Sequence, residues 1–255
     1  MKKLILFAAG FCMILSFISC SDSTTSTPST GKTYIPIEPG TWWKYSKYAL
    51  GSDGKPDYTT SLVDSIIVSS TKTYFGKTAS EIVTFNGKVR NDTVHYFYAT
   101  ETAMYASNNY VNPPVSMVPQ MSNGWSVLAD SKSSGWNIFD TTLTSFNISY
   151  GGTNVSLSGK YTIKGVLGKK ENVVINDNGI FTPILTQEYQ ILYSFDGTIS
   201  LVFPLKFTIT YHYWINSDIG IVKEHLDPLT ITALGIPIPV PGTEKILMTY
   251  NISKK

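Results

Sequence analysis

In Phe207-Thr208-Ile209-Thr210-Tyr211-His212-Tyr213-Trp214-Ile215 the odd positions are apolar and most even ones polar. A repeat of two puts one face of a strand in a core and the other toward water, and it does not match the 3.6-residue repeat of a helix. The same alternation runs through Tyr189, Ile191, Tyr193 and Phe195, through Phe146, Ile148 and Tyr150, and through Ile246, Met248, Tyr250 and Ile252. Turn signals recur at short spacing: Gly51-Ser52-Asp53-Gly54, Asn86-Gly87, Gly151-Gly152, Asp177-Asn178-Gly179 and Asp196-Gly197. No stretch reads as an amphipathic helix of three turns. The expected fold class is all-β, with about a dozen antiparallel strands in one domain spanning residues 34–255.

One hairpin can be placed by register. Tyr211–Ile215 and Ile221–His225 flank Asn216-Ser217-Asp218-Ile219-Gly220, and Gly220 suits a left-handed position closing the turn. That register sets His212 opposite His225. Two stretches break the alternation: Asn112–Met121, rich in Pro and Met, and Ala233–Gly242, where Pro alternates with aliphatics. Proline lacks the N–H that a ladder needs, so both are expected to be loops outside any central strand. Met117, Met121, Ile236, Ile238 and Val240 are their candidate lid or rim residues, covering an open end of the core or an apolar cavity.

The N-terminal stretch has its own logic. Lys2 and Lys3 precede an apolar run from Leu4 to Phe17, and Ile18-Ser19 leads to Cys20. The run is shorter than the ~20 residues that span a bilayer, so it reads as a secretory signal, residues 1–19. Phe17-Ile18-Ser19-Cys20 resembles the box cleaved by lipoprotein signal peptidase, with Phe17 where Leu is usual. That resemblance implies diacylglycerol on the Cys20 sulfur and an acyl chain on its amine. The expected partner is then the lipid bilayer, held through acylated Cys20. Residues 20–33 contain no apolar anchor and read as a flexible tether, whose twelve residues from Ser21 to Lys32 reach about 20 Å. Ser21, where Asp would favour inner-membrane retention, points to the outer membrane of a Gram-negative bacterium.

Loss of the signal removes Cys12, and acylation takes Cys20, so no disulfide is available to the domain. Its 222 residues from Tyr34 onward are enough to bury about 70–75% of the unfolded surface. The signal also carries off Lys2 and Lys3, leaving 18 basic and 18 acidic residues, with Arg90 as the one arginine. A neutral chain with a single guanidinium is poorly suited to nucleic acid, and no such partner is expected.

Catalytic signatures are missing. There is no GxSxG elbow, no phosphate loop, no cysteine nucleophile and no His-x-His or HExxH, so neither a metal site nor a cofactor is expected. The chain is instead rich in aromatics, with 16 Tyr, 12 Phe and 5 Trp. Aromatics on an outward strand face can stack on sugar rings or line a groove. Trp214 shares its face with Thr208, Thr210 and His212, which makes it the leading candidate ligand contact, together with Trp42 and Trp43. Asp followed by Ser or Thr and then an aliphatic, Ala, Met or Thr occurs at Ser23, Ser65, Thr93 and Thr141, where composition alone predicts about one hit. The pattern is similar to an O-glycosylation signal of exported proteins in some Gram-negative bacteria, and it makes those four hydroxyls candidate glycosylation sites.

Pro39-Gly40-Thr41-Trp42-Trp43-Lys44-Tyr45 and the late Trp214…Gly220-Ile221-Val222-Lys223-Glu224 resemble a class of bacterial envelope lipoproteins. Those chains open on a Gly-x-x-Trp-x-Tyr strand and close near a Gly-aliphatic-Val-Lys hairpin. The resemblance implies an incompletely closed antiparallel barrel or curved sheet, with a β-sandwich as the alternative, and carries no catalytic residues. The function expected is a non-enzymatic, membrane-anchored envelope lipoprotein that binds an apolar or glycan ligand or a partner protein. A carbohydrate-active hydrolase and a structural accessory subunit are the alternatives. A cavity beneath the Pro-rich loops favours a carrier, paired carboxylates in a cleft favour hydrolysis, and a flat apolar patch favours a partner.

Overall fold

Alternation is realised most fully where Tyr189, Ile191, Tyr193 and Phe195 turn into a common interior, each at most 1% exposed. The computed structural model describes residues 33–253, apart from 116, 151, 152, 178 and 201. Cys20, Ser23, the tether and Gly151-Gly152 lie outside the described residues.

The N-terminal half is a meander of β1 (Trp42–Leu50), β2 (Pro56–Tyr74), β3 (Lys77–Asn86), a short β4 (Val89–Arg90), β5 (His95–Ala99) and β6 (Ala103–Ser107). A single helical turn, α1 (Asn108–Val111), then leads through the first Pro-rich segment to β7 (Trp125–Asp130). The C-terminal half runs through β8 (Gly135–Tyr150), β9 (Thr153–Asp177), β10 (Ile180–Ile199), β11 (Phe203–Asn216) and β12 (Gly220–Leu226). A small hairpin of β13 (Leu229–Ala233) and β14 (Ile236–Val240) follows, and β15 (Thr243–Asn251) ends the sequence of elements.

All but the small hairpin belong to one antiparallel sheet, ordered β7-β6-β5-β3-β2-β1-β15-β12-β11-β10-β9-β8, with β4 beside β3. β15 joins the two halves, pairing with β1 on one side and β12 on the other. The sheet curls into a nearly closed barrel with an unsealed seam between β7 and β8. At the seam β7 lies beside β9 and β10 without pairing. One side chain bridges the gap: Trp136 Nε1 donates to the Val127 carbonyl at 2.8 Å. Trp136 lies flat over Gly165, its cross-strand partner, where a Cβ would fall inside the indole.

Several expectations are corrected. Asp196-Gly197 is not a turn. It lies within β10, and Gly197 faces Gly159 of β9 across the ladder. The second Pro-rich stretch is not a loop: Ile236, Ile238 and Val240 lie on β14, paired with Ala233, Ile231 and Leu229. This is possible because β14 has a partner on one side only, so Pro237 and Pro239 can turn their missing N–H groups to the open edge. β15 also has the opposite phase from that expected. Leu247 is fully buried, facing Tyr45, while Tyr250 is 37% exposed. The turn at Gly220 has φ +106°, and its missing Cβ leaves room for the Trp43 ring.

Candidate functional site

Among the apolar residues of the inner face lies a group of buried charged side chains. On β12, Glu224 shares its phase with Val222 and Leu226 and therefore points inward, where it is 2% exposed. The register sets it between Tyr213 of β11 and Lys245 of β15. The Tyr211 hydroxyl donates to Glu224 Oε2 at 2.7 Å, the Tyr110 hydroxyl reaches Oε1 at 3.3 Å, and Lys245 Nζ lies 3.4 Å from Oε2. Lys245 is shared with Asp64 of β2 at 3.5 Å, and Asp64 also meets Lys47 at 3.8 Å. A buried carboxylate is tolerated only when so surrounded.

These groups form one wall of a pocket of about 390 Å³. Its floor is Tyr213, Glu224 and Ile66, and its mouth is marked by the exposed Asn86 and Asn91. α1 supplies Tyr110. That turn is anchored by Asn109, whose side chain accepts from Ser107 and donates to the Val94 carbonyl, and by Asn108, which donates to the Ser122 carbonyl. Two buried polar atoms lining the pocket have no partner, Asp64 Oδ1 and His95 Nδ1.

Electrostatics follow from burial and neighbours. Burial works against the Lys245 ammonium, but the Glu224 and Asp64 carboxylates outweigh it and raise its pKa. Burial, with the Lys245 charge helping against a hydrogen bond that the ring donates to Asn109, holds His95 below its ordinary value, so it is neutral at pH 7. Burial pushes the Tyr110, Tyr211 and Tyr213 hydroxyls far up, with the Glu224 charge adding to it.

The outer face of the same strands carries a second polar group. His212 does face His225, and Asp227 lies between them, 3.3 Å from one Nε2 and 3.2 Å from the other. Glu188 meets His212 Nδ1 at 2.7 Å, and Glu244 meets His225 Nδ1 at 3.1 Å. Burial raises the Glu188 and Glu244 carboxyls, yet hydrogen bonds from Gln190 and His212, and from His225 and Lys223, hold both below the usual range. Among the described residues no three His, Cys, Asp or Glu side chains gather as a metal site.

These shifts predict a stability plateau with two edges. Depressed carboxyls such as Glu188 and Glu244 contribute stability that is present above 4.5 and lost as pH falls. Raised tyrosines contribute stability that is present below 10.0 and lost as pH rises, because only the unfolded chain then releases their protons. His95, also depressed, lets only the unfolded chain take up its proton below 6.5, so urea midpoints should be flat from about pH 7 to 10, decline below 6.5, and drop further below 4.5 and above 10. A midpoint still rising above pH 10 would contradict the buried tyrosine interior.

The aromatic contact candidates are placed differently from the expectation. Trp43 is 4% exposed, donating from Nε1 to the Ile219 carbonyl at 2.6 Å; it is a core residue. Trp214 is on the outward polar face, as its phase requires, but it is covered. Its indole stacks on His212, donates to Glu171 Oε1 at 2.6 Å and lies under Lys223, leaving it 7% exposed. Trp42 is half-buried on the outside of β1 beneath Lys44. None of the three lines the pocket.

The Pro-rich segments do meet. Pro114, Val115 and Met117 face Ile238 and Pro239 across a groove of about 520 Å³ floored by Phe146 and Ile148. Met121 and Val240 are buried instead of rimming it. Of the candidate glycosylation hydroxyls, Thr93 is exposed on the loop between β4 and β5, whereas Ser65 and Thr141 are half-buried on strands.

No family model and no curated protein matches this chain. Two solved structures are similar to it. One is a protein of Parabacteroides distasonis classed as a lipoprotein, at 11% identity and TM-score 0.47, covering 86% of this chain and 99% of that one. The other is a protein of Bacteroides fragilis classed as exported, with a YmcC-like fold, at 9% identity and TM-score 0.40 over the same shares. Likenesses at this level bear on neither ligand nor activity.

Proposed function

We propose that this chain is a membrane-anchored envelope lipoprotein that binds a glycan in the pocket around Glu224, without chemical conversion. The observation that supports this most directly is the composition of the wall. Lys47 and Lys245 balance Asp64 and Glu224, so the pocket has no net charge with which to select an ion. Tyr211, Tyr213 and Phe85 provide ring surface, and the exposed Asn86 and Asn91 offer amide groups at the mouth. A neutral molecule with hydroxyls and apolar C–H faces satisfies all of these at once. Hydrolysis fits less well. A glycosidase needs two carboxyls in opposite protonation states, whereas here both meet the same ammonium.

Native mass spectrometry of the domain from Tyr34 onward, purified gently from its host, tests the reading. A saccharide adduct is expected on the wild type and not on Asp64→Ala. A wild-type spectrum showing bare protein alone would sink it. A second reading draws on the groove between the Pro-rich segments, whose apolar lining suits an aliphatic ligand. A lipid adduct that survives Asp64→Ala would favour that one.

A further inference from the structure

β9 and β10 outrun the sheet. β8 pairs with β9 no further than Val166, and β11 pairs with β10 no further than Gln187. Beyond those points Glu171–Asp177 and Ile180–Thr186 pair only with each other, as a two-stranded arm. A β-bulge at its base sets two residues of β9, Gly168 and Lys169, against one of β10, Glu188.

The two faces of the arm differ in what covers them. Val173 and Ile175 belong to the core cluster, Ile184 packs against it half-buried, and Glu171 holds Trp214. The other face is bare: Val174 is 52%, Phe181 70% and Leu185 60% exposed, Pro183 faces Val174, and the exposed Asn172 and Asn176 lie opposite Leu185 and Phe181. Lys170 lies on this face at its base, and among the described residues no acidic one lies on it. Exposed apolar side chains occur elsewhere, as at Val89 and Phe75 on turns or short strands and at Tyr58, Leu62 and Val63 on β2, but those strands are paired within the main sheet or end it.

The position of the arm selects an occupant. Leu185 and Lys170 line the same cleft as Tyr34, whose hydroxyl bonds that of Tyr189. The described chain therefore begins beside the base of the arm. If Cys20 is acylated, about 20 Å of tether ties this part of the surface to the bilayer. Apolar side chains toward the tip with lysine at the base match the layering of an interface, hydrocarbon below and phosphate above.

We infer that the β9–β10 arm is a second membrane contact, inserting Phe181, Leu185 and Val174 into the boundary of a phospholipid surface. The inference rests on the membrane-anchored reading, but its test does not use the anchor. The chain from residue 33 onward contains every described element and the whole core, and it lacks Cys20. It should cosediment with vesicles of phosphatidylethanolamine and phosphatidylglycerol at a 3:1 ratio. Phe181→Asp with Leu185→Asp should weaken that partition at least tenfold, with circular dichroism unchanged. Phe203→Asp, at the start of β11 opposite the far end of β10, should leave it as it was.

Failure of the acyl-free domain to bind, or equal binding by the double variant, would overturn the inference. So would a concentration-dependent dimer abolished by the same variant without vesicle binding, which would make the face an interface between copies. Palmitate labelling lost in Cys20→Ala reports on the anchor separately, so the two failures can be told apart.

Discussion

Lys245→Met should lower stability by about 3–5 kcal/mol at neutral pH, because it leaves Glu224 and Asp64 facing each other across the site of a lost cation. For a domain of this size that is a fall in Tm of roughly 10 °C. The effect should be strongly non-additive. With Glu224→Gln already in place, much of what Lys245 compensates has gone, so adding Lys245→Met should cost far less than it does alone. Lys245→Arg should retain most of the stability, since a guanidinium can meet both carboxylates. Denaturation of the four proteins in urea supplies the cycle. Additive losses would mean that the ammonium and the carboxylate act independently, and the description of the pocket wall would fail.

The second large effect is expected where two backbones meet. Gly159 faces Gly197, has φ +151°, and a Cβ on it would come within 2.5 Å of the Asp196 carbonyl oxygen and the Gly197 Cα. Those are backbone atoms in the middle of a ladder and cannot swing aside as a side chain would. Gly159→Val should therefore cost about 3 kcal/mol or more in strain and overpacking. Gly179→Ala, at a turn where a Cβ meets nothing within 4 Å, carries only the penalty of φ +88° and should cost less. Thermal melts of the two variants decide the matter. A Gly159→Val protein as stable as wild type would show that β9 and β10 do not approach so closely there.

Most of the fold was legible because a strand's period is local. The residues Tyr189–Phe195 and Phe207–Ile215 carry their own inside and outside, and the facing of His212 and His225 needed only one turn to be counted. The phase of β15 was not legible from its own residues. Ile246 and Met248 are as apolar as Leu247, and the choice is made by what lies opposite: Tyr45 for Leu247 and Glu224 for Lys245. Asp196-Gly197 has the composition of a turn, but its glycine is there because another glycine faces it.

The candidate site was the least legible part. Its groups come from β1, β2, β3, β5, the turn α1, β11, β12 and β15, and only the assembled sheet brings them together. A trace of it was nevertheless present. Glu224 in phase with Val222 and Leu226, and Asp64 in phase with Ile66 and Val68, are charges written on the buried side of a strand. The phase of Trp214 puts it on the outward polar face, but its own segment does not show that His212, Glu171 and Lys223 cover it there.

The place of β15 in the sheet has a consequence in time. β1 to β7 and β8 to β12 are meanders whose neighbours arrive one after another, and each can begin to pair as soon as it is made. Nothing holds one meander's sheet edge to the other until Thr243–Asn251 inserts between β1 and β12. A chain is made from its N-terminus, so Trp42 must wait for Asn251, its partner some two hundred residues later. Until then two sheets with bare edges coexist on one chain, and the barrel is completed by the last of the described strands to appear.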